Sequence, residues 1–514
     1  MKSRLMFVLF PFLVFANLCF GSAAHVYLGN ANSGTADGSS CANALMYTWF
    51  NSAGNWGGGS SQIGPGTTVH LCGIITASGT SGPFLSFLAG GASGSPVTLL
   101  WENNAIFQAG SCQGWMIETR GFSNITIDGG SNGILRTTAN GTALAYQQSC
   151  DGIEYGAPNS GDTPGGSNII IRNLHIGPMY VKTSINDIAG AGSGIYGNFG
   201  NGDANIHVYN NVVHDAVFCI ATGFEGGGTL TNVEVDHNEA YNCATAIIFG
   251  SGDTSSQAAH VYLHDNHLHE GIVWDSANDA FHCDGFHVWA NGSGSTTSTL
   301  DDLRIYNNLI DGKWGVFTTA RIYVEHIGNN VNAITNSYIY NNVVDDRNSP
   351  NAPTNGLIYT TGTGQIGVTG AGTKVYNNTL LGMGSGNGVT TLWVLSGTIV
   401  ENTIIQDVST VFYNSGEAGC CPGVNFGIRD YNDYYNSNQA QIGAHDITKN
   451  PSLGANGMPQ PGSAVIDAGT DLSSFFTTDR LGTTRPQGAA WDMGAYEYVI
   501  SNVAPPTNLT VVVE

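Results

Sequence analysis

One short sequence pattern recurs along the middle of the chain and restricts the fold more than any other feature. Clear copies are NIHVYNNVVHD from Asn205, NVEVDHNEAYN from Asn232, HVYLHDNHLHE from His260 and DLRIYNNLIDG from Asp302. An asparagine returns at positions 211, 238, 266, 308, 342, 378 and 402, at intervals between 24 residues (378 to 402) and 42 residues (266 to 308). Self-similarity of this kind is typical of repeat architectures, in which each copy stacks on its neighbours.

Each copy alternates apolar and polar residues with a period of two, which predicts a β-strand with one buried face. The segments between the copies show no helical period and are rich in Gly, Ser, Thr and Asn, as turns are. A solenoid is favoured over a β-sandwich, because a sandwich does not reuse one sequence at every strand. The residues expected to point into the solenoid are Val208, Val235, Leu263, Ile305 and Ile339.

The recurring asparagine has a structural explanation. Asparagine tolerates the left-handed backbone conformation that tight corners require. Stacked corners lie about 4.8 Å apart, so their side-chain amides are able to hydrogen-bond from coil to coil. We therefore expect a ladder of asparagine side chains rather than a row of catalytic residues.

The two ends of the chain carry more specific motifs. The segment from Asn450 to Tyr498 contains PGSAVIDAG and DMGAYEY, and the early region contains DGSSCANAL and GPGTTVHLCG. With the repeats, these motifs resemble the secreted bacterial right-handed parallel β-helix proteins of the pectin-lyase-like fold. The resemblance implies an all-β, single-stranded right-handed parallel β-helix (solenoid) with N- and C-terminal capping segments. It also implies a disulfide between Cys41 and Cys72, which both lie in the opening motifs.

The resemblance covers nearly the whole chain and divides it into five regions. Residues 1–24 read as a signal peptide, since Lys2 and Arg4 precede an apolar run that ends before Ser22-Ala23-Ala24. We expect an N-terminal cap and first coils over 25–100, β-helix repeats over 101–449, a closing segment over 450–498 and a linker-like tail over 499–514. The expected location is outside the cell or on its surface.

The charge balance limits the partners. The chain has 15 basic and 38 acidic residues and a formal net charge of −23, which argues against binding nucleic acid or anionic membranes. No second long apolar run follows the first, so we expect no membrane insertion of the mature chain. The expected protein is a monomer whose partner is a polysaccharide. No cofactor is defined, and Ca²⁺ is the candidate cation that would bridge the acidic protein to an anionic substrate.

The segment DAFHCDGFHVW, residues 279–289, is the leading candidate site. Its alternation, with a phase change at Gly285, places one row of side chains outside: His282, Asp284, His287 and Trp289. Tryptophan provides a platform for the apolar face of a sugar ring, and histidine and aspartate exchange protons.

Other candidates surround this segment in the sequence. Nine of the 14 histidines fall between positions 207 and 287. In the copy that begins at His260, alternation turns Tyr262 and His264 outward. The candidate site therefore includes His282, Asp284, His287, Lys313, Arg321 and Glu325 for catalysis and Trp289, His264, Tyr262 and Trp314 for substrate binding.

Two polysaccharide-cleaving chemistries remain open. A lyase needs a base, here His282 or His287, and a cation such as Lys313 or Arg321 to stabilise the developing enolate. A glycoside hydrolase needs two carboxyl groups across the bond. The candidates for that pair are Asp284 with Asp279, Glu270 or Glu325. The residue patterns of known polygalacturonases and pectate lyases are absent from this sequence, so the resemblance does not select a reaction.

Two further interpretations involve no sugar chemistry at this segment. His282, Asp284 and His287 also form a candidate metal-ligand set. Alternatively, the His- and Asp-rich strand is a hydrogen-bonded polar ladder on a non-catalytic, adhesin-like or glycan-binding rod. The outward or inward orientation of these side chains distinguishes the alternatives.

Overall fold

The computed structural model describes residues 21–110, 112–139, 150–156, 165–182, 192–199, 202–274, 283–293, 296–315, 318–327, 333–353, 356–361, 372–392, 397–415, 426–437 and 442–499. Within these ranges the regular structure is β-strand, apart from four short 3₁₀ turns at Cys41–Asn43, Tyr47–Asn51, Ala53–Asn55 and Gly271–Trp274. None of the helices in the described ranges is long and apolar enough to cross a membrane.

The strands pair in parallel with the equivalent strand of the next coil. Val208 pairs with Val235, Val235 with Leu263, and Leu263 with Ile305, so one register runs through successive repeats. Crossover connections between parallel strands take the right-handed form. The chain is therefore a right-handed parallel β-helix, and the fold predicted from the repeats is confirmed.

Each coil contributes to three sheets, and four long strands bend from one sheet into the next. Sheet 1 contains His25–Gly29, Leu45–Met46, Thr68–Leu71, Val97–Trp101, the first parts of Ile125–Thr137 and Ile169–Ile176, Asp203–Tyr209, Thr229–Asp236, Gln257–His264, Thr299–Tyr306, Ile334–Thr335, Tyr338–Tyr340, Lys374–Tyr376, Thr398–Glu401 and Phe426–Asp430. Sheet 2 contains Ile74–Ala77, Ile106–Ala109, the second parts of Ile125–Thr137 and Ile169–Ile176, the first parts of Val212–Phe224 and Glu239–Gly250, His267–His269, Leu309–Asp311, Val343–Asp345, Thr379–Leu381 and Ile404–Gln406. Sheet 3 contains Leu85–Ser86, Gly114–Glu118, Cys150–Gly156, Ile195–Phe199, the second parts of Val212–Phe224 and Glu239–Gly250, Phe286–Ser293 with its hairpin partner Thr296–Thr297, Ala320–Ile327, Gly356–Thr361, Asn387–Leu392 and Thr410–Ser415.

One apolar core fills the interior between the three sheets. The five side chains predicted to point inward are all buried, with exposed fractions of 0–1 %. They are Val208, Val235, Leu263, Ile305 and Ile339. Burial of one face of every strand is what fixes the period-two pattern, because a one-residue slip would turn the apolar side chains outward.

An asparagine ladder lines the corner between sheets 1 and 2. The Nδ2 of Asn211 donates to Oδ1 of Asn238 at 3.0 Å, and Nδ2 of Asn238 donates to Oδ1 of Asn266 at 3.1 Å. The same contact continues through Asn308, Asn342 and Asn378. The predicted ladder is confirmed at these six positions.

Two details of the corner differ from the prediction. The left-handed backbone conformation belongs to the residue before each ladder asparagine, as at Asn210 (φ 54°) and Asn307 (φ 57°). Asn402 takes this preceding position, and the Thr403 backbone N–H continues the ladder by donating to Asn432. At each corner one residue thus forms the tight turn, and the next residue provides the buried side-chain amide.

A second ladder lies at the start of sheet 1, where three of its four asparagines are exposed and Asn124 is half-buried. Asn124, Asn168, Asn205 and Asn232 all have positive φ values between 58° and 62°. Nδ2 of each later residue donates to Oδ1 of the one before it, at 2.8–3.1 Å. This outer ladder was not predicted from the sequence.

Disulfides connect neighbouring coils. The predicted bond between Cys41 and Cys72 is confirmed, with a Cα–Cα distance of 5.5 Å. Two more join Cys112 to Cys150 and Cys219 to Cys243. Cys283 is a buried thiol. Cys420 and Cys421, whose partners the sequence does not indicate, lie outside the described residues.

Residues 450–498 run back along the outside of the corner between sheets 1 and 2. Backbone oxygens of Thr470 and Thr478 accept hydrogen bonds from Asn402 Nδ2 and Asn341 Nδ2. Phe476 stacks on Tyr340, with ring centroids 4.6 Å apart. This segment covers the outer face of sheet 1 near Tyr340 and ends the open part of that face.

Asp433, in the last coil, makes stability depend on pH. The side chain is fully buried, and burial raises its pKa to about 7. Hydrogen bonds from the Lys449 and Tyr434 backbone N–H groups lower the pKa but do not cancel the effect of burial. Because the folded-state pKa lies above the unfolded one, the native state binds more protons between about pH 4 and 7, and stability is lost as pH rises through this window. We expect Asp433→Asn to raise the free energy of unfolding by under about 1 kcal/mol at pH 4 and by a few kcal/mol at pH 8.

Thermal melting at several pH values measures this difference. Asp471→Asn is the matched control, because Asp471 is exposed and hydrogen bonds to Ser473 lower its pKa. The control is expected to show no gain at high pH. A lower melting temperature for Asp433→Asn than for the unmodified protein at pH 8 would contradict the assignment of a buried, proton-binding carboxyl group.

Candidate functional site

Two long connections lie at one edge of sheet 3. Residues 177–194 and 270–285 each join a strand of sheet 2 to the following strand of sheet 3. Corners between sheets 1 and 2 take only two residues, as at 265–266 and 307–308. In solenoids, insertions at one face commonly mark the binding face. The outer face of sheet 3 is therefore the first place to look for a site.

Two rows of side chains face outward from sheet 3, in register from coil to coil. The first row runs through Glu118, Glu154, Tyr196, Ala221, Ile248, His287 and Tyr323. The second row is Asn198, Gly223, Gly250, Trp289 and Glu325. Because two adjacent positions in the second row are glycine, neighbouring side chains lie close to the backbone of this glycine floor, and Asn198 lies beside Gly223.

Trp289 lies across this glycine floor. A Cβ atom added to Gly250 would stand 2.2 Å from the Trp289 ring, so the observed position of the indole requires glycine there. The indole Nε1 donates to the Ser251 backbone oxygen at 2.8 Å, which holds the ring in place. Trp289 is partly exposed, as a platform for a sugar ring has to be.

His287 and Glu325 lie within hydrogen-bond distance of each other beside the tryptophan. His287 Nε2 lies 3.0 Å from Glu325 Oε2, and the two side chains are 11 % and 22 % exposed. The imidazole stacks on Tyr323 with ring centroids 4.6 Å apart and leans against Trp289 at 4.7 Å. A carboxylate that holds a histidine in one orientation is a common arrangement for proton transfer. Three of the predicted site residues thus meet on sheet 3.

Asp284 is not part of the exposed row, and the prediction that it faces outward is wrong. Its side chain is fully buried, and Oδ1 accepts a hydrogen bond from the Ala320 backbone N–H at 2.8 Å. Burial raises the pKa of this carboxyl well above its usual range. The alternation fails because Cys283 adopts a positive φ of 52° and Gly285 packs against the Arg321 backbone. His282 and Asp279 lie outside the described residues.

Arg321 and Trp314 are also inside, against the prediction that they line the outer surface. Arg321 is 0 % and Trp314 2 % exposed. The guanidinium donates to Asp346 Oδ1 through Nε at 2.9 Å and Nη2 at 2.7 Å, and it lies 5.3 Å from the Trp314 ring centroid. Their burial rules out direct contact with a polysaccharide in this arrangement. Lys313 is exposed in the connection after Leu309–Asp311.

Tyr262 and His264 lie on sheet 1, a different face from His287. Tyr262 donates to Asp302 Oδ2 at 2.7 Å. His264 lies 2.9 Å from Glu234 and 2.8 Å from Asp265, and although burial lowers its pKa, these two carboxylates raise it above the ordinary value. The structure therefore separates these two residues from the other predicted substrate-binding positions. Glu270 begins the 270–285 connection and is half-buried.

Several residues of the sheet 3 face were missed from the sequence. Asn198 donates to Glu225 Oε2 at 3.2 Å at the far end of the glycine floor. Gly223 and Gly250 each stand twelve positions after a ladder asparagine, Asn211 and Asn238. That shared offset is a signal in the sequence, and it places both glycines at one position of the coil.

The fold and this face together define a class: a right-handed parallel β-helix protein with Trp289, His287 and Glu325 in contact on the outer face of one sheet. No family model and no curated protein matches the chain. Among solved structures, the crystal structure of pectate lyase Pel9A has a TM-score of 0.36 and 14 % identity over 93 % of this chain and 97 % of that one. The complex of XylC with xylose has a TM-score of 0.39 and 10 % identity, covering 92 % and 99 %. The Yersinia enterocolitica family 28 exopolygalacturonase has a TM-score of 0.26 and 11 % identity, covering 77 % and 74 %. The fold assignment rests on the strand pairing of this chain.

Proposed function

We propose that the protein binds a polysaccharide along the outer face of sheet 3 and cleaves it beside Trp289. The observation that carries this proposal is the contact between a partly exposed tryptophan, lying on a glycine floor, and the His287–Glu325 pair. An aromatic platform positions the apolar face of a sugar ring, and the adjacent pair supplies a proton donor or acceptor. The three disulfides support a location in an oxidising compartment outside the cytoplasm.

The pair favours elimination over hydrolysis. Elimination needs a base to remove the proton next to a uronate carboxylate and a cation to stabilise the developing enolate. His287 held by Glu325 is suited to be the base, and added Ca²⁺ is the candidate cation, since Arg321 is buried. Hydrolysis by a glycosidase needs two carboxyl groups on opposite sides of the bond. In the described parts of the two outward rows, Glu325 is the carboxylate that contacts His287. Glu154 stands in the first row four strands away from His287, about 19 Å at the usual strand spacing, which is too far to pair with Glu325 across one bond. Asp284, the other predicted carboxylate, is buried.

The test is incubation of the purified protein with a panel of neutral and uronate polysaccharides, with and without Ca²⁺. Ultraviolet absorbance detects the unsaturated product of elimination, and a reducing-end assay detects cleavage of either kind. Unsaturated ends identify a lyase, and new reducing ends without them identify a hydrolase. Binding without cleavage would establish a glycan-binding rod in place of an enzyme. The absence of both binding and cleavage would overturn the proposal.

Trp289→Ala is expected to weaken polysaccharide binding by about tenfold or more, which is about 1.4 kcal/mol. The reason is loss of the stacking surface above Gly250. Affinity electrophoresis in gels containing the polysaccharide measures the change. Tyr262→Ala is the matched control, because it removes a partly exposed aromatic ring from sheet 1. Equal retardation of the Trp289→Ala and unmodified proteins would place the binding surface elsewhere.

A further inference from the structure

The outer face of sheet 1 carries a second group of titratable side chains. His207 pairs in register with Glu234 of the next coil, and Asp236 lies two residues further along that strand. His207 Nε2 is 2.5 Å from Asp236 Oδ1 and 3.9 Å from Glu234 Oε2. One nitrogen and one oxygen from each carboxylate all lie within 4.8 Å of one another. The parallel strands hold these three side chains at a fixed spacing.

A cavity of about 360 Å³ opens beside the group. His207 and Glu234 both line it, together with Ile170, Tyr262 and the outer-ladder residues Asn205 and Asn232. Two of the three side chains therefore border a space large enough for a small molecule. The cavity is an observation independent of the cluster, and it lies on a different sheet from Trp289.

We propose that His207, Glu234 and Asp236 bind a divalent transition-metal ion of the Zn²⁺ type, with the remaining coordination position directed to the cavity. An imidazole nitrogen with carboxylate oxygens is a donor set that suits Zn²⁺. Ca²⁺ and Mg²⁺ prefer sites made of oxygen alone. A metal ion held by three protein ligands has a fourth position at which it is able to bind a small ligand.

Neighbouring histidines orient both carboxylates. His237 Nδ1 lies 2.6 Å from Asp236 Oδ2, and His264 Nε2 lies 2.9 Å from Glu234 Oε1. In each case the histidine holds one carboxylate oxygen and leaves the other for His207 or an ion. Such outer contacts fix ligand orientation and strengthen metal binding.

An ion entering the group replaces the direct His207–Asp236 contact, and these two atoms separate to roughly 3.3 Å, the spacing of ligands around tetrahedral zinc.

A second cluster provides the internal control. Glu239, His267 and His269 on sheet 2 also bring three donor atoms within 4.8 Å of one another. None of these residues lines the cavity beside His207. A variant in each cluster therefore shows which of the two clusters binds the ion.

The experiment is calorimetric titration of the metal-stripped, full-length protein with Zn²⁺, and with Ca²⁺ for comparison. We expect His207→Gln and Asp236→Asn each to weaken one Zn²⁺ site at least tenfold or to remove it, whereas His267→Gln leaves that site unchanged. Ca²⁺ is expected not to compete. Unchanged Zn²⁺ binding in His207→Gln, or loss confined to His267→Gln, would overturn the proposal.

A second measurement does not depend on any variant folding. Crystals of the unmodified protein soaked in Zn²⁺ are expected to show an anomalous diffraction peak between His207 Nε2 and the carboxylates of Glu234 and Asp236. Zinc peaks at other positions, with none at this one, would refute the site. Because the group lies on sheet 1, either result is separate from the outcome of the polysaccharide assays on sheet 3.

Discussion

Asn308→Ala is expected to lower the free energy of unfolding by about 3–5 kcal/mol, the largest stability effect of a single substitution considered for this protein. Asn308 is fully buried in the middle of the asparagine ladder. Its Nδ2 donates to the Leu263 backbone oxygen and to Asn342 Oδ1, both at 2.9 Å. Its Oδ1 accepts from the backbone N–H and Nδ2 of Asn266, at 2.9 and 3.1 Å. Alanine removes these partners from the buried Asn266 backbone N–H and the Leu263 backbone oxygen, and each such loss costs about 1–3 kcal/mol. Asn266 Nδ2 keeps its bond to the Val235 backbone oxygen, and Asn342 Oδ1 keeps the Asn308 backbone N–H.

Urea unfolding followed by circular dichroism measures the loss. Asn232→Gly is the control, because Asn232 is an exposed member of the outer ladder and glycine keeps its positive φ of 58°. We expect the control to lose under about 1 kcal/mol. Similar losses in the two variants would show that burial of the inner ladder contributes little, and the corner would then depend on backbone contacts alone.

His287→Ala and Glu325→Gln are each expected to lower the turnover of the polysaccharide that the panel identifies by about 10²–10⁴-fold, the usual contribution of a positioned acid or base. In the proposed reaction His287 transfers the proton, and Glu325 orients its ring through the 3.0 Å contact. Because Trp289 remains in place, binding is expected to change much less than turnover. The separation of kcat from affinity is the signature of a chemical role.

His260→Ala is the matched control for this pair. His260 also contacts a carboxylate, Asp302, at 2.9 Å, but it lies on sheet 1 and is 51 % exposed. Turnover by this variant is expected to match the unmodified protein. Full turnover by a correctly folded His287→Ala variant would refute the acid–base role of the pair, whatever result the control gives.

The repeat predicted the fold because burial imposes the same demand on every coil. The inward positions, from Val208 to Ile339, follow from alternation alone. The ladder asparagines follow from the need to satisfy buried backbone groups at a corner. Both are local requirements that return in each repeat, so one copy of the sequence contains the information for the rest.

The site was harder to predict, because alternation separates inside from outside but does not say which sheet a strand joins. Tyr262 and His287 both face outward, yet they belong to sheets 1 and 3. Asp284 and Arg321 are buried because turns and connections interrupt the alternation, and their partners Ala320 and Asp346 come from other parts of the coil. Contacts of this kind depend on three-dimensional placement.

A crystal structure of the Glu325→Gln protein with a bound oligosaccharide tests the central claim most directly. The claim predicts a sugar ring stacked on Trp289, above Gly250, with its neighbouring glycosidic bond within about 4 Å of the His287 ring. Density for the sugar on sheet 1 or along the asparagine corner, with the Trp289 face bare, would contradict it.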